Sequence, residues 1–207
     1  MLKTMFAIVI QIILLNVMPC MGEEMKLTIT NFRLDSNNLQ FEFYLKNNAK
    51  SGIWVCEDMD DKSKINYEVK IDENRKAIKI RFASFQVPKN LLLEEPIWAR
   101  FRNIPPQMTS KGEVKLKVPV SDVNPVNVDP LKHKDLFKGT KLAYATTLIL
   151  EIGIYKTNLE KHKMSCCRDD SDSQNAFVNV FWAAKNREQV IKKEIQNLKI
   201  PITIIMY

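Results

Sequence analysis

The sequence predicts a mostly β chain, an antiparallel β-sandwich placed behind an N-terminal leader. Three observations carry this reading. Apolar and polar residues alternate with period two over long stretches, and Asn, Asp and Pro turns separate those stretches at roughly ten-residue intervals. Residues 1–22 have the make-up of a signal sequence.

The leader comes first. Met1-Leu2-Lys3 gives a short positive start, Met5 to Leu15 is apolar apart from Gln11, and Pro19-Cys20-Met21-Gly22 closes the segment with small residues at Cys20 and Gly22 before Glu23-Glu24. Cleavage after Gly22 fits that spacing. The apolar stretch ends at Met18, short of the ~20 residues of a membrane span, so an uncleaved anchor is the weaker reading. Lipidation at Cys20 is a third, although Met18 and Pro19 stand where lipoprotein signals prefer small residues. The expected boundaries are a signal peptide over 1–22 and a sandwich over 23–207. The expected location is periplasmic, envelope-associated or secreted, with no membrane span once the leader is removed.

In the body of the chain, Leu27 and Ile29 begin the alternation, and Leu39, Phe41, Phe43 and Leu45 continue it across an Asp35-Ser36-Asn37-Asn38 turn, which makes a hairpin. Ile53-Trp54-Val55-Cys56 reads as a short buried strand closed by the acidic run Glu57 to Asp61. Ile65 to Ile71 and Ile78 to Phe82 form a second strand pair around Asp72-Glu73-Asn74-Arg75. Ile97 to Phe101 and Val114 to Val118 are further strands, separated by Pro105-Pro106, which remove ladder donors. Three prolines between Pro119 and Pro130 mark a long connection, where a sub-boundary of the domain falls naturally. Leu148 to Tyr155 is continuously apolar and β-branched, as in a central strand buried on both faces. Residues 156–175 read as polar loop, and Phe177 to Trp182 and Ile200 to Tyr207 as strands. Between those two strands, Ile191, Ile195 and Leu198 have helical spacing, so a turn or a short C-terminal helix is expected within 183–198.

The pattern Leu39-Gln40-Phe41-Glu42-Phe43, then Ile53-Trp54-Val55-Cys56, then Ile104-Pro105-Pro106-Gln107 before another alternating strand, resembles exported immunoglobulin-like β-sandwich modules of bacterial origin, over residues 25–120. The resemblance implies a module that binds or spaces rather than one that catalyses.

Composition narrows the function classes. An apolar share of 45% and a charged share of 27% are those of a globular domain, and 5 glycines in 207 residues argue against phosphate-cradling Gly-rich loops and flexible linkers. The net charge of +7 falls by one to +6 when Lys3 leaves with the leader. The lysines alternate along strands, as in Lys111-Gly112-Glu113-Val114-Lys115-Leu116-Lys117, which describes a solvated sheet face rather than a nucleic-acid site. No nucleic-acid partner is expected.

The candidate chemistry is thin. Cys166 and Cys167 are adjacent and lack Cys-x-x-Cys spacing, so neither is expected to ligate a metal. Cys56 bridged to Cys166 or Cys167, or three separate thiols, are both open for an exported chain. His133 and His162 read as surface residues, and a His162–Cys166 nucleophile pair has no apolar scaffold. Counting an EF-hand loop from Asp170 puts Asn175 and Phe181 at the Gly and Glu positions, and from Asp58 puts Ser63 and Val69 there, so both fail. Trp54, Trp98 and Trp182 sit in apolar strands and are expected in the core, not on a sugar-stacking platform.

No catalytic, cofactor-binding or metal residue is therefore nominated, and no cofactor is expected. The expectation is a non-enzymatic exported module that binds a protein or an envelope component; the alternative is a secreted hydrolase with loop-borne carboxylates. Intact-mass measurement of the protein from its native host is expected to give a chain starting near Glu23. A mass that retains Met1 to Gly22 would refute cleavage, and an added lipid on Cys20 would identify the anchored form.

Overall fold

The computed structural model describes residues 24–60, 67–83, 98–123, 138–156, 167–168, 175–179 and 188–206. The leader, Cys20, Cys166, both histidines, Trp182 and the acidic run from Asp169 lie outside them. The described residues are mostly strand and contain no helix. In chain order they are β1 (Met25–Leu34), β2 (Asn38–Asn47), β3 (Ile53–Asp60), β4 (Glu68–Asp72), β5 (Ala77–Phe82), β6 (Trp98–Ile104), β7 (Thr109–Lys117), β8 (Gly139–Ala145), β9 (Thr147–Tyr155), β10 (Cys167–Arg168), β11 (Asn175–Asn179), β12 (Gln189–Ile195) and β13 (Ile200–Met206).

β1, β2 and β7 form a three-stranded antiparallel sheet with β2 in the middle. The alternation read in the sequence sets its inner face: Leu39, Phe41, Phe43 and Leu45 are buried, and Val114 and Leu116 join them from β7. The hairpin turn is closed by Asp35, whose Oδ1 accepts the backbone N–H groups of Asn37 and Asn38, each at 2.8 Å. Those bonds favour the ionised form and hold its carboxyl below the usual aspartate range. At the other end of β2, Asn47 is fully buried and fully used. Its Nδ2 donates to Ser51 O and Ile104 O, both at 2.9 Å, and its Oδ1 accepts from Ala49 N at 2.9 Å. A buried amide satisfied in this way fixes the chain around it, since leaving it unpaired costs about 1–3 kcal/mol.

The larger sheet is built on β9. β12 pairs antiparallel along one edge from Leu148 to Ile154, and β5 pairs parallel along the other from Thr147 to Ile152. Ile154 pairs with both Gln189 and Val55, so β3 must reach β9 on the β5 edge, beyond the end of β5. β3 then continues to β6, β11 and β10, and β5 continues to β4. The two sheets face each other across one core, where the Phe43 ring lies 5.1 Å from Phe82 and Tyr67 lies 5.0 Å from Phe82.

β8 and β9 are one strand bent at Thr146, and β12 and β13 run antiparallel beside them as a single long ribbon. Residues 196–199 lie opposite only Thr146 and Thr147, and the surplus is absorbed around Asn197, whose φ of 60° is one that Asn tolerates. The segment Val120 to Val123 stitches the edges together. Val123 exchanges both backbone hydrogen bonds with Val69 of β4 at 2.8 Å, and Val120 bonds Pro201 and Thr203 of β13.

Four expectations are corrected. Residues 189–195 are strand, not helix: a spacing of four places Ile191 and Ile195 on one face in either geometry, and pairing with the apolar β9 decides for strand. The large sheet is mixed rather than purely antiparallel, because β5 lies parallel to β9. The acidic run after Cys56 is not a turn up to residue 60 but the second half of β3. Within the stretch read as loop, Cys167–Arg168 forms β10.

Gly112 lies opposite Phe43 on the inner face of β7, and a Cβ there would come within 2.1 Å of the Phe43 ring. The ring fills the space that the glycine leaves. Gly112→Ala is expected to destabilise the fold by about 1–3 kcal/mol in denaturant titration. Adding Phe43→Leu to that variant should recover part of the loss; strictly additive costs would show that the two positions do not share this space.

Candidate functional site

Residues singled out in the sequence fall mainly into packing roles. Trp54 is 1% exposed and Cys56 is buried, opposite Phe101. Cys167 pairs with Val178, Val178 with Ala99 and Ala99 with Met59, so three inter-strand spacings of about 4.8 Å separate the Cys167 backbone from β3. That is well beyond the Cα separation a disulfide allows, and a Cys56–Cys167 bridge is out of reach. Among the described residues no group of His, Cys, Asp and Glu is arranged to hold a metal ion.

The structure assembles a cleft that the sequence did not nominate. It has a volume of about 300 Å³ and lies between β7, at the edge of the small sheet, and β3 and β6 of the large one. Phe43, Val55, Tyr67 and Phe82 floor it, and Glu57, Arg100, Ser110 and Glu113 stand at its mouth. Its shape follows from a bulge. The register passes from Cys56↔Phe101 to Asp58↔Arg100, so Glu57 is the extra residue of β3. Glu57 Oε2 lies 3.8 Å from Arg100 Nη2, its Oε1 contacts Arg102 Nη2, and that same nitrogen donates to Ser110 Oγ at 3.0 Å. Glu113 is engaged by Lys115 at 3.0 Å and by Gln40 at 2.9 Å.

Each carboxylate at the mouth is therefore matched by groups of this chain. The Glu57–Arg102–Ser110 chain ties the large sheet to β7, which is a structural task. Tyr67, on the floor, donates its hydroxyl to Lys115 O at 3.0 Å, and burial pushes the phenol above its usual range, away from nucleophilic use.

A second charged group covers the outer face of β4, β5 and β9. Arg81 Nε lies 3.6 Å from Glu151 Oε2, Lys192 Nζ lies 2.9 Å from Glu151 Oε1, and Lys79 Nζ lies 3.1 Å from Asp72 Oδ2. These are cross-strand pairs of alternating sign, a means of solvating a sheet face. Glu68, opposite Arg81, sits at the edge of the group, and burial raises its carboxyl above the ordinary glutamate range despite the cations nearby.

The third feature is the outer half of the long ribbon. Pro201 and Thr203 direct their backbone groups toward Val120, so Ile200, Ile202 and Ile204 of β13 are the residues that bond β8, through Ala145, Ala143 and Lys141. Pro201 is tolerated because β8 requires no N–H from it. The same alternation turns the N–H and C=O groups of Thr140, Leu142 and Tyr144 toward the opposite edge of β8. Among the described residues no strand pairs with that edge; the Lys76 carbonyl, which accepts Thr146 N at 2.8 Å, marks where the β4–β5 turn stops covering it.

One face of this ribbon, with Ala145, Ile200 and Ile202, is buried in the core. The other face carries Leu142 at 73% exposure and Tyr144 at 54%, beside the half-buried Pro201, Thr203 and Ile205. Lys199 Nζ lies over the Tyr144 ring, 4.9 Å from its centroid. A strand edge that no described strand covers, flanked by large exposed apolar side chains, has the features on which extended segments can pair. Neither Leu142 nor Tyr144 was marked in the sequence. Their signal was the alternation Thr140, Leu142, Tyr144, which lies just before the Leu148–Tyr155 run read as a strand.

No protein-family model, curated protein or solved structure matches this chain.

Glu68 yields a pH test. Its raised carboxyl means that ionising it opposes folding, so its effect is absent where the group is protonated and grows as pH rises from the ordinary glutamate range through the raised value. Glu68→Gln is expected to unfold at a higher temperature than the parent at pH 7, with the difference closing at acid pH. Equal melting temperatures at pH 7, or a gain confined to acid pH, would contradict the assigned cause.

Proposed function

We propose that this chain is a non-enzymatic, exported module of the immunoglobulin-like sandwich type that binds a protein partner at the cell envelope or outside it, using the open edge of β8. The leader-like residues 1–22 support export, and two sheets packed on one core support the sandwich. The parallel β5–β9 pairing is a departure from an all-antiparallel sandwich. The observation that carries the binding role is the pairing-competent edge of β8 beside the exposed Leu142 and Tyr144. Strand addition is a general way for an extended protein segment to bind such an edge: the backbone supplies affinity and alternate side chains supply choice of partner. The matched carboxylates of the cleft offer nothing comparable for a hydrolase.

Site-specific photocrosslinking in the native host tests this reading. A photoreactive phenylalanine analogue at Tyr144 is expected to give a discrete protein adduct that the same group at the exposed Lys50 does not give. Absence of any adduct specific to position 144 would overturn the binding role of this edge.

A further inference from the structure

We propose that the occupant of the β8 edge is a second copy of this chain, joined by antiparallel pairing of β8 with β8 about a two-fold axis at Leu142. This rests on the reading of that edge as the contact surface, and it names the partner.

The register is self-complementary. The outward-directed residues are Thr140, Leu142 and Tyr144, so an axis through Leu142 pairs Leu142 with Leu142 of the second copy and Thr140 with Tyr144 of the second copy. All three are hydrogen-bonding positions of an antiparallel ladder, and each such pair exchanges two N–H···O=C bonds. The side chains agree with the backbone. The two exposed leucines meet at the axis, and each tyrosine lies over a threonine on the same outward face.

Charge does not oppose this register. Lys141, the one charged residue of β8 at neutral pH, is opposite Ala143 of the second copy, so the two lysines are offset rather than face to face. The pairing also ends at two copies. The far edge of the ribbon is occupied by Val120 on β13, and an isologous contact about a two-fold axis uses up the β8 edge that no described strand covers. The result is a four-stranded layer, β13-β8-β8-β13, with Leu142 and Tyr144 no longer isolated in solvent.

Sedimentation velocity of the purified chain over a concentration series tests this. The parent is expected to show a reversible monomer–dimer equilibrium. Leu142→Pro removes an N–H that β13 does not use, and proline is tolerated on an outward-facing edge position. It should therefore weaken the dimer at least about tenfold while leaving the far-UV spectrum and melting temperature near those of the parent. As a second variant that does not depend on proline, Leu142→Cys under mild oxidation should give a covalent dimer that Lys50→Cys does not. A monomer at every concentration, with no excess covalent dimer from Leu142→Cys, would overturn the proposal. If the Tyr144 crosslink then carries a different protein, the self-pairing fails while the binding role of the edge stands; if it carries nothing, both fail.

Discussion

A strand buried on both faces must have its backbone groups paired on both edges, because each unsatisfied group left in an apolar interior costs on the order of 1–3 kcal/mol. β9 is that strand. From Leu148 to Tyr155 every residue except Glu151 is buried, and the requirement for two full ladders explains its neighbours. On one side β12 covers Leu148 to Ile154. On the other no single strand is long enough, and β5 and β3 divide the edge between them, one parallel and one antiparallel. The mixed character of the large sheet follows from this division. So does the strand state of residues 189–195, which are only half-buried or exposed and take their conformation from the partner they must satisfy.

The legible and the hidden parts of the fold separate along the same line. Where one face meets the core and the other meets water, period two is written in the residues, as in Leu39-Phe41-Phe43-Leu45 and in Val114 and Leu116, and those strands follow from the sequence. Leu148 to Tyr155 was legible for the complementary reason, being apolar on both faces. Gln189–Ile195 was not, since Ile191 and Ile195 satisfy a helix and a strand equally and the deciding contact is 40 residues away in β9. The direction of β5 against β9 was hidden too, because parallel and antiparallel neighbours ask for similar side chains.

The cleft and the ribbon edge were illegible for a different reason. Glu57 belongs to an acidic run that reads as solvated turn, and only the bulge after Cys56 brings it against Arg100 and Arg102 from β6. Nothing local to residues 57–60 announces those arginines. At β8 the apolar residues are few and spaced by two. What gives them meaning is that β13 spends its bonding on Val120 and on the inner half of β8, leaving Thr140, Leu142 and Tyr144 facing outward. Such a property belongs to a pair of strands and their neighbour, not to any one segment.

Four other sheet borders contrast with that edge. β12 carries Lys192, Lys193 and Glu194 in solvent, and β7 presents Lys111, Glu113, Lys115 and Lys117. β1 is broken by a bulge at Asn31, where φ is 52°, and β4 is bridged by Val123. Charge, bulges and covering segments are the devices by which β proteins discourage edge-to-edge association. Among the described residues β8 has none of them along Thr140, Leu142 and Tyr144: its single charge, Lys141, lies at a position that bonds β13, and Leu142 and Tyr144 are the most exposed large apolar side chains of the ribbon. Among the described residues, β8 along Thr140, Leu142 and Tyr144 is a border without these protections, an aggregation hazard that the proposed strand pairing would remove.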